Sequence, residues 1–217
     1  MNKIISISEA VDKVKDGMTV MVGGFLANGT PERLIDALVE KGVKNLTLIC
    51  NDTGFPDRGV GKMVVAKQFK KIIASHIGTN PETANQMNSG ETIVQLVPQG
   101  TLAEKVRCAG TGLGGFYTPT GIGTEIEEGK EKKVIDGVEY LLELPLKADV
   151  ALLFGSTVDK KGNIVYNKTM KNFNPMMAMA ADTVIVEAGK IVEIGEIDPD
   201  HVMTSGIFVD FIVGGDK

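Results

Sequence analysis

The segment from Asp16 to Pro31 passes from an apolar strand into a glycine-rich loop and then into a helix start. Val20 to Val22 predict the strand, and Thr30-Pro31 predict an N-cap and a first helical residue. The loop between them contains Gly23, Gly24 and Gly29. Glycine permits backbone conformations and close approaches that other residues resist. A strand, a loop and a helix in this order indicate a layered α/β fold.

Two interpretations of this loop follow from its residues. Free N–H groups and the positive end of the following helix favour a bound phosphate or other anion, while a glycine turn with a structural role alone is the alternative. The spacing excludes a Walker loop, which needs Gly-x4-Gly-Lys-Ser/Thr, and a dinucleotide fingerprint, which needs Gly-x-Gly-x-x-Gly. The local pattern leaves the choice between anion binding and packing open.

Further stretches carry a more specific signal. They are Cys50-Asn51-Asp52, Pro98 to Glu104, Phe116 to Gly121 and Lys171 to Asn174. Together with the Asp-Gly-x-x-(three apolar)-Gly-Gly-Phe-x-x-x-Gly-x-Pro segment, they resemble the family I coenzyme A transferases, in the half called the alpha subunit. Within that family the chain is most similar to the butyrate–acetoacetate and acetate group, rather than the oxoadipate or glutaconate branches.

The resemblance implies an enzyme that moves coenzyme A between short-chain acids through a glutamyl-CoA thioester. In this family the nucleophilic glutamate lies in a Ser-Glu-Asn-Gly-like motif of the beta subunit, and no such string occurs in this chain, where Ser8-Glu9 is followed by Ala10. The resemblance therefore implies a partner beta subunit in a heterotetramer of two alpha and two beta chains. Coenzyme A and acyl-CoA would be substrates, with no permanently bound cofactor.

The resemblance also assigns site residues. Gln99 matches a family glutamine that donates toward the reacting carbonyl oxygen, although a turn-capping role is its simpler interpretation. Asn51 matches a position that contacts the thioester or coenzyme A, whereas Asp52 departs from the Asn of many relatives and its role stays open. The predicted coenzyme A contacts are Gly24, Phe25, Leu26, Ala27, Asn28, Gly29, Thr30 and Asn51.

Composition narrows the remaining choices. A chain of 217 residues with 43% hydrophobic content can bury one sizeable core, and we expect one domain over residues 1–217. A net charge of −5 offers no broad basic field for nucleic acid. No apolar run reaches the roughly 18 residues of a membrane span, and the cysteines Cys50 and Cys108 are interpreted as buried small hydrophobes in a cytoplasmic protein. His76 and His201 lack the spacing of a metal set.

The order of predicted elements favours an open, mostly parallel sheet with helices on both faces and a small β-hairpin excursion. Helices are predicted after Pro31, at 60–69, after Gln99 with a Thr101–Glu104 capping box, and at 176–181 behind an Asn174-Pro175 cap. Strands are predicted at 20–22, 46–50, 72–77, 92–97, 150–154 and 184–187. The stretch 78–90 is described only as variable and polar, 110–129 is predicted as a long ordered loop, and Asp136-Gly137 as a hairpin turn.

Two rival functions stay open on the sequence. A non-catalytic module could bind acyl-CoA or a sugar phosphate through the same loop. A phosphosugar isomerase of related fold should carry its own paired acid and base at the strand ends, and no such pair stands out.

Overall fold

The computed structural model describes residues 2–214. Its main feature is an eight-stranded sheet. Along the sheet the strands lie in the order β11 (Phe211–Gly214), β10 (Ala181–Val192), β8 (Ala148–Asp159), β1 (Thr19–Val22), β2 (Leu46–Cys50), β3 (Phe69–Ala74) and β4 (Ile93–Leu96), and a short β9 (Ile164–Val165) pairs with β8. Every pairing along this path is parallel, and the β8–β9 pairing is antiparallel. The prediction of an open, mostly parallel α/β sheet is confirmed.

The helices are α1 (Ile7–Val11), α2 (Glu32–Lys41), α3 (Gly61–Val65), α4 (Pro81–Ser89), α5 (Gln99–Gly110) and α6 (Asn174–Met177). The strands are β1 (Thr19–Val22), β2 (Leu46–Cys50), β3 (Phe69–Ala74), β4 (Ile93–Leu96), β5 (Phe116–Thr118), β6 (Lys132–Ile135), β7 (Val138–Glu143), β8 (Ala148–Asp159), β9 (Ile164–Val165), β10 (Ala181–Val192) and β11 (Phe211–Gly214). Short 3₁₀ turns lie at Glu125–Glu127, Lys168–Lys171, Pro199–His201 and Gly206–Phe208.

The core has two halves because successive strand residues point to opposite faces of the sheet. Val20 and Val22 of β1 pack with α1, α2 and α3, while Met21 packs with α5 and α6 on the other side. Helix α2 contributes three fully buried side chains, Leu34, Ile35 and Leu38, each worth about 1.5–3 kcal/mol relative to exposure. Helices on both faces are therefore confirmed.

The hairpin is also confirmed. Strands β6 and β7 pair antiparallel across Asp136 and Gly137, whose φ values of 50° and 79° are those of a left-handed two-residue turn. Part of the predicted loop at 110–129 forms β5, which pairs with β7 to complete a three-stranded sheet.

Helix α4 lies in the stretch 78–90, for which the sequence pattern predicts a variable polar segment and no helix. Its signals are local: Asn80 accepts a hydrogen bond from the backbone N–H of Glu82, Pro81 begins the helix, and Gly90 ends it at φ 75°. Apolar periodicity misses it because its buried residues, Thr83 and Gln86, are polar. The Gln86 amide donates to the carbonyl oxygen of Val64 at 2.8 Å, which satisfies it inside the protein.

Three predicted caps are wrong. Helix α2 follows Pro31 rather than a Thr30 cap, and α5 begins at Gln99 after Pro98, so Thr101 lies inside the helix and caps nothing. Asn174 is the first residue of α6, and its side chain bonds to other segments instead of its own helix.

The predicted lengths also differ from the structure. Helix α3 covers only Gly61–Val65 of the predicted 60–69, and β3 begins at Phe69, three residues before the predicted strand at 72–77. Helix α6 ends at Met177, and Ala181 already belongs to β10. Strands β8 and β10 are longer than predicted, since they pair with each other along twelve-residue strands.

Candidate active site

The carboxyl ends of β1 to β4 surround a cavity of about 290 Å³. It is lined by Phe25, Leu26, Asn51, Asp52, His76, Thr79 and Gln99. Phe25 follows β1, Asn51 follows β2, His76 follows β3, and Gln99 begins the helix after β4. Parallel strands bring these separate positions to one edge, which is where open α/β sheets bind ligands.

A chain of hydrogen bonds joins the polar side chains of this cavity. The Ser75 hydroxyl lies within donating distance of two acceptors, Gln99 Oε1 and the carbonyl oxygen of Asn51. The distance from Ser75 Oγ to the Asn51 carbonyl oxygen is 2.7 Å. Gln99 Nε2 donates to Asn51 Oδ1 at 2.6 Å, and Asn51 Nδ2 donates to Asp52 Oδ2 at 2.7 Å. Three strand ends are thereby linked, and the prediction that Asn51 and Gln99 share one edge agrees with their direct contact.

Asp52 connects this chain of bonds to the glycine-rich loop. Its carboxylate accepts from the backbone N–H of Leu26 at 2.9 Å and of Gly54 at 2.8 Å. Leu26 and the next residue, Ala27, have φ values of 47° and 64°, a left-handed conformation that costs a non-glycine residue about 1–2 kcal/mol. The buried carboxylate offsets part of that cost and holds Leu26 against the cavity.

The three loop glycines pack against the protein itself. A Cβ would lie 2.0 Å from Asn174 Oδ1 at Gly23, 2.1 Å from Thr30 Oγ1 at Gly24 and 2.7 Å from the Met170 carbonyl oxygen at Gly29. The space inside the loop, bordered by Gly24, Ala27 and Thr30, is only about 10 Å³. On this inner side of the loop the three glycines meet the protein itself, which favours the packing alternative. The contact of Gly24 and Gly29 with coenzyme A stays a prediction.

The positive end of α2 is likewise occupied by a group of the protein. Glu187 of β10 accepts from the backbone N–H of Leu34 at 3.0 Å and pairs with Arg33 at 3.3 Å. Burial raises the pKa of Glu187 above its ordinary value, although the bonds from Leu34 and Arg33 act in the opposite direction. An internal carboxylate therefore lies at this helix end, where a bound phosphate or other anion is one of the two alternatives from sequence.

The structure thus divides the predicted contacts. Phe25, Leu26 and Asn51 line the cavity together with Gln99. Gly24, Ala27 and Thr30 border the separate small space inside the loop, while Gly29 packs on Met170 and the Asn28 carbonyl oxygen accepts from Asn172 Nδ2 at 2.9 Å.

Sequence reasoning missed several residues of this edge. Ser75 and His76 follow β3, which ends at Ala74. The strand predicted at 72–77 includes both residues, so the sequence did not indicate that they lie at the edge of the sheet. The better signal is position, because the residues directly after each parallel strand face the same edge. Within residues 2–214 the His76 ring makes no hydrogen bond in the structure, and His76 lines the cavity.

A second turn of similar sequence lies beside the first. Phe25 and Asn28 exchange backbone hydrogen bonds at 3.0 and 2.9 Å, and Phe55 and Arg58 do the same at 3.2 Å each. The two segments read Gly-Phe-Leu-Ala-Asn-Gly and Gly-Phe-Pro-Asp-Arg-Gly. A Cβ on Gly59 would lie 3.2 Å from the nearest atom of the first turn, so the two turns pack closely.

The cysteines agree with the expectation from sequence that they are buried. Cys50 and Cys108 are both buried, and burial, reinforced by the charge of Asp52, raises the pKa of the Cys50 thiol well above its ordinary value. Among residues 2–214 no cluster of three His, Cys, Asp or Glu side chains could hold a metal ion. In the same range no helix has both the length and the apolar content that crossing a membrane requires.

Comparison with known proteins identifies the family. The family model described as coenzyme A transferase matches residues 4–215. The alpha subunit of the acetate CoA-transferase of Escherichia coli K12 is 53% identical over 97% of this chain and 96% of its own. The acetoacetyl-CoA:acetate/butyrate CoA transferase alpha subunit of Clostridium acetobutylicum is 54% identical over 98% of this chain and 97% of its own.

Solved structures agree on the fold. An acyl-CoA transferase from Escherichia coli O157:H7, solved as a thioester complex with CoA, superposes with a TM-score of 0.90 at 24% identity. The match covers 99% of this chain but 47% of the solved one, so this chain spans about half its length. Glutaconate coenzyme A-transferase from Acidaminococcus fermentans superposes at 0.81 with 18% identity, over 97% of this chain and 75% of the other. This chain belongs to the coenzyme A transferase family.

Proposed function

We propose that this chain is the alpha subunit of an acyl-CoA:carboxylate CoA-transferase that exchanges coenzyme A among acetate, butyrate and acetoacetate. The observation that carries the proposal is the carboxyl-edge cavity, in which an apolar wall of Phe25 and Leu26 faces the amides of Asn51 and Gln99. The names of relatives more than 50% identical over nearly the whole chain support these substrates. Their designation as alpha subunits supports a partner chain.

The proposed reaction proceeds through the glutamate that the family resemblance places on the partner beta subunit. Its carboxylate oxygen attacks the thioester carbonyl, and collapse of the tetrahedral adduct expels the coenzyme A thiolate and leaves a mixed anhydride. The thiolate then attacks the glutamyl carbonyl, releasing the first carboxylate and forming the glutamyl-CoA thioester. The same steps in reverse, with a second carboxylate, return the glutamate and complete the exchange.

Gln99 supplies an oxyanion donor in this proposal. One hydrogen of its Nε2 is donated to Asn51, and the second makes no hydrogen bond to any residue in the range 2–214. A fixed N–H at the cavity wall stabilises negative charge on a tetrahedral carbonyl oxygen without reorganisation. The loop, whose anion positions are taken by Asp52 and Glu187, is assigned to shaping the cavity wall rather than to holding coenzyme A phosphates.

The isomerase alternative finds no support at this edge. The cavity offers two titratable side chains, Asp52 and His76. The Asp52 carboxylate accepts three hydrogen bonds and is committed to holding the loop. A base and an acid facing each other across an open site are therefore missing from the residues that line it.

Reconstitution tests the proposal. The purified chain alone should transfer no coenzyme A between butyryl-CoA and acetate, and addition of a partner chain carrying the Ser-Glu-Asn-Gly-like motif should restore turnover and give a heterotetramer. Borohydride reduction of the thioester should modify a glutamate of that partner only, located by mass spectrometry. Turnover by this chain alone, after contaminants are excluded, would show that it contains its own nucleophile and that the proposal is wrong.

A further inference from the structure

The role of Asp52 follows from the direction of the hydrogen bonds it accepts. Both oxygens of an ionised carboxylate can only accept hydrogen bonds, whereas a side-chain amide has an oxygen that accepts and an NH₂ group that donates. We infer that Asp52 is a positioning residue that orients the amides of Asn51 and Gln99, so that Gln99 presents an N–H to the cavity. This inference rests on the proposed function and deepens it.

Asp52 fixes the orientation of the Asn51 amide, and Asn51 in turn fixes the orientation of the Gln99 amide. Because Asp52 can only accept, Asn51 must present Nδ2 to it, which turns Asn51 Oδ1 toward Gln99. Gln99 must then present Nε2 to Asn51, at 2.6 Å, and Oε1 to the Ser75 hydroxyl. Asp52 and Asn51 are 5% and 2% exposed, so water competes little for these bonds.

An uncharged residue at position 52 removes this constraint. An asparagine there can donate as well as accept, so Asn51 and Gln99 could both rotate by 180° without losing their mutual bond. In the rotated state Gln99 Oε1 occupies the place of Nε2, and a lone pair points where the free N–H pointed. The N–H stabilises the developing oxyanion, whereas a lone pair repels it. Rotation of Gln99 therefore raises the energy of the transition state.

A double-mutant cycle on the complex assembled with the partner chain tests this inference. Q99A should lower kcat by about 10²–10³-fold, the usual loss for one oxyanion donor, with KM changed by less than about threefold. D52N should lower kcat by about tenfold or more, again with little change in KM, because without the carboxylate the wrong amide orientation takes about nine-tenths or more of the population. D52N/Q99A should be no slower than Q99A alone, within about threefold, because Asp52 acts through Gln99.

A matched control separates orientation from folding. Asp159 is also buried and accepts from two backbone N–H groups and one asparagine amide, those of Lys161 and Asn163, but it does not line the cavity. D159N should retain wild-type kcat even where it lowers the urea midpoint of unfolding. D52S gives a second uncharged variant at position 52 and should show the same cycle if D52N fails to assemble.

The outcomes distinguish the inference from the proposed function. If the kcat losses of D52N and Q99A multiply in the double variant, Asp52 acts independently of Gln99 and the inference is wrong, while the proposed role of Gln99 stands. A rise in KM alone for D52N also overturns the inference. A Q99A enzyme with wild-type kcat would remove the proposed role of Gln99, and the inference with it.

Discussion

At the scale of single residues, the glycine-rich loop shows how one composition can serve two purposes. Glycine allows close approach of any partner, and the local sequence cannot say whether that partner is a ligand or another part of the chain. Here Gly29 approaches the backbone of Met170, which belongs to a 3₁₀ turn far along the sequence. The absence of a side chain at position 29 is therefore a packing requirement.

Gly29→Ala measures this requirement against a control with the same backbone geometry. Gly29 and Gly42 have φ values of 71° and 70°, but a Cβ on Gly42 meets no atom within 4 Å. Gly42→Ala should cost about 1 kcal/mol for the left-handed conformation, and Gly29→Ala about 1–3 kcal/mol more because Met170 must move. Urea unfolding of both variants checks the difference, and equal losses would mean that the loop adapts without strain.

At the scale of elements, helix α2 depends on a distant strand for its first turn. Pro31 has no side-chain donor or acceptor, so the N-cap residue itself leaves the first N–H groups unsatisfied. Glu187 of β10 accepts from Leu34 and so joins the start of α2 to the sheet. This contact fixes where the helix begins and hence where the preceding loop lies.

Glu187→Gln tests this contact through its pH dependence. Because the folded pKa of Glu187 is raised, the native state binds its proton more tightly than the unfolded state, and this contribution to stability falls as pH rises from about 4.5 through the raised value. The wild-type advantage over Glu187→Gln in free energy of unfolding should therefore decrease across that window.

Urea titrations between pH 4 and 7 provide the measurement for Glu187→Gln. Glu40→Gln, on the exposed side of the same helix, controls for the loss of one carboxylate. A wild-type advantage that grows with pH would mean that the ion pair with Arg33 outweighs the burial of the carboxylate.

At the scale of the whole molecule, a charge cluster around the buried Glu143 joins the small sheet to helix α5. Glu143 at the end of β7 accepts from Lys105 of α5 at 2.7 Å and from Lys130 at 2.5 Å. The three side chains border a cavity of about 500 Å³ between β4 and the small sheet. Since α5 begins at Gln99, this cluster also anchors the helix that carries the proposed oxyanion donor.

Glu143→Gln should destabilise the protein by about 3 kcal/mol at neutral pH. Removing one partner of a buried ion pair typically costs about 3–5 kcal/mol, and we expect the lower value because Lys130 is partly exposed. Burial raises the pKa of Glu143, but the bonds from Lys105 and Lys130 outweigh it and hold the pKa below its ordinary value. The stabilisation is therefore complete above about pH 4.5 and is lost as pH falls through the lowered pKa.

Chemical denaturation of wild type and Glu143→Gln between pH 3 and 7 checks both the size and the sign. The difference in free energy of unfolding between wild type and Glu143→Gln should become smaller as the pH falls. The corresponding difference for Glu187→Gln should instead become smaller as the pH rises. A difference in free energy of unfolding that does not change with pH would mean that the variant is destabilised by altered packing rather than by the loss of the charge.

The amino-acid order alone was sufficient for the features that depend on local patterns. The apolar runs at β1 and β2, the stripe of α2 and the Asp136-Gly137 turn each involve neighbours along the chain, so the α/β class and the hairpin were predictable. The motif resemblance that led to the family is also a property of residue order, and it required no coordinates.

Only the folded chain decided which groups meet across long sequence separations. Asn174 fills the crevice beside Gly23, Glu187 occupies the start of α2, and Asp52 holds Leu26. Each contact satisfies a buried polar group with a partner that no local pattern identifies, because hydrogen-bonding demand is settled by proximity in space. For that physical reason, the residues facing the cavity could be separated from those behind it only in three dimensions.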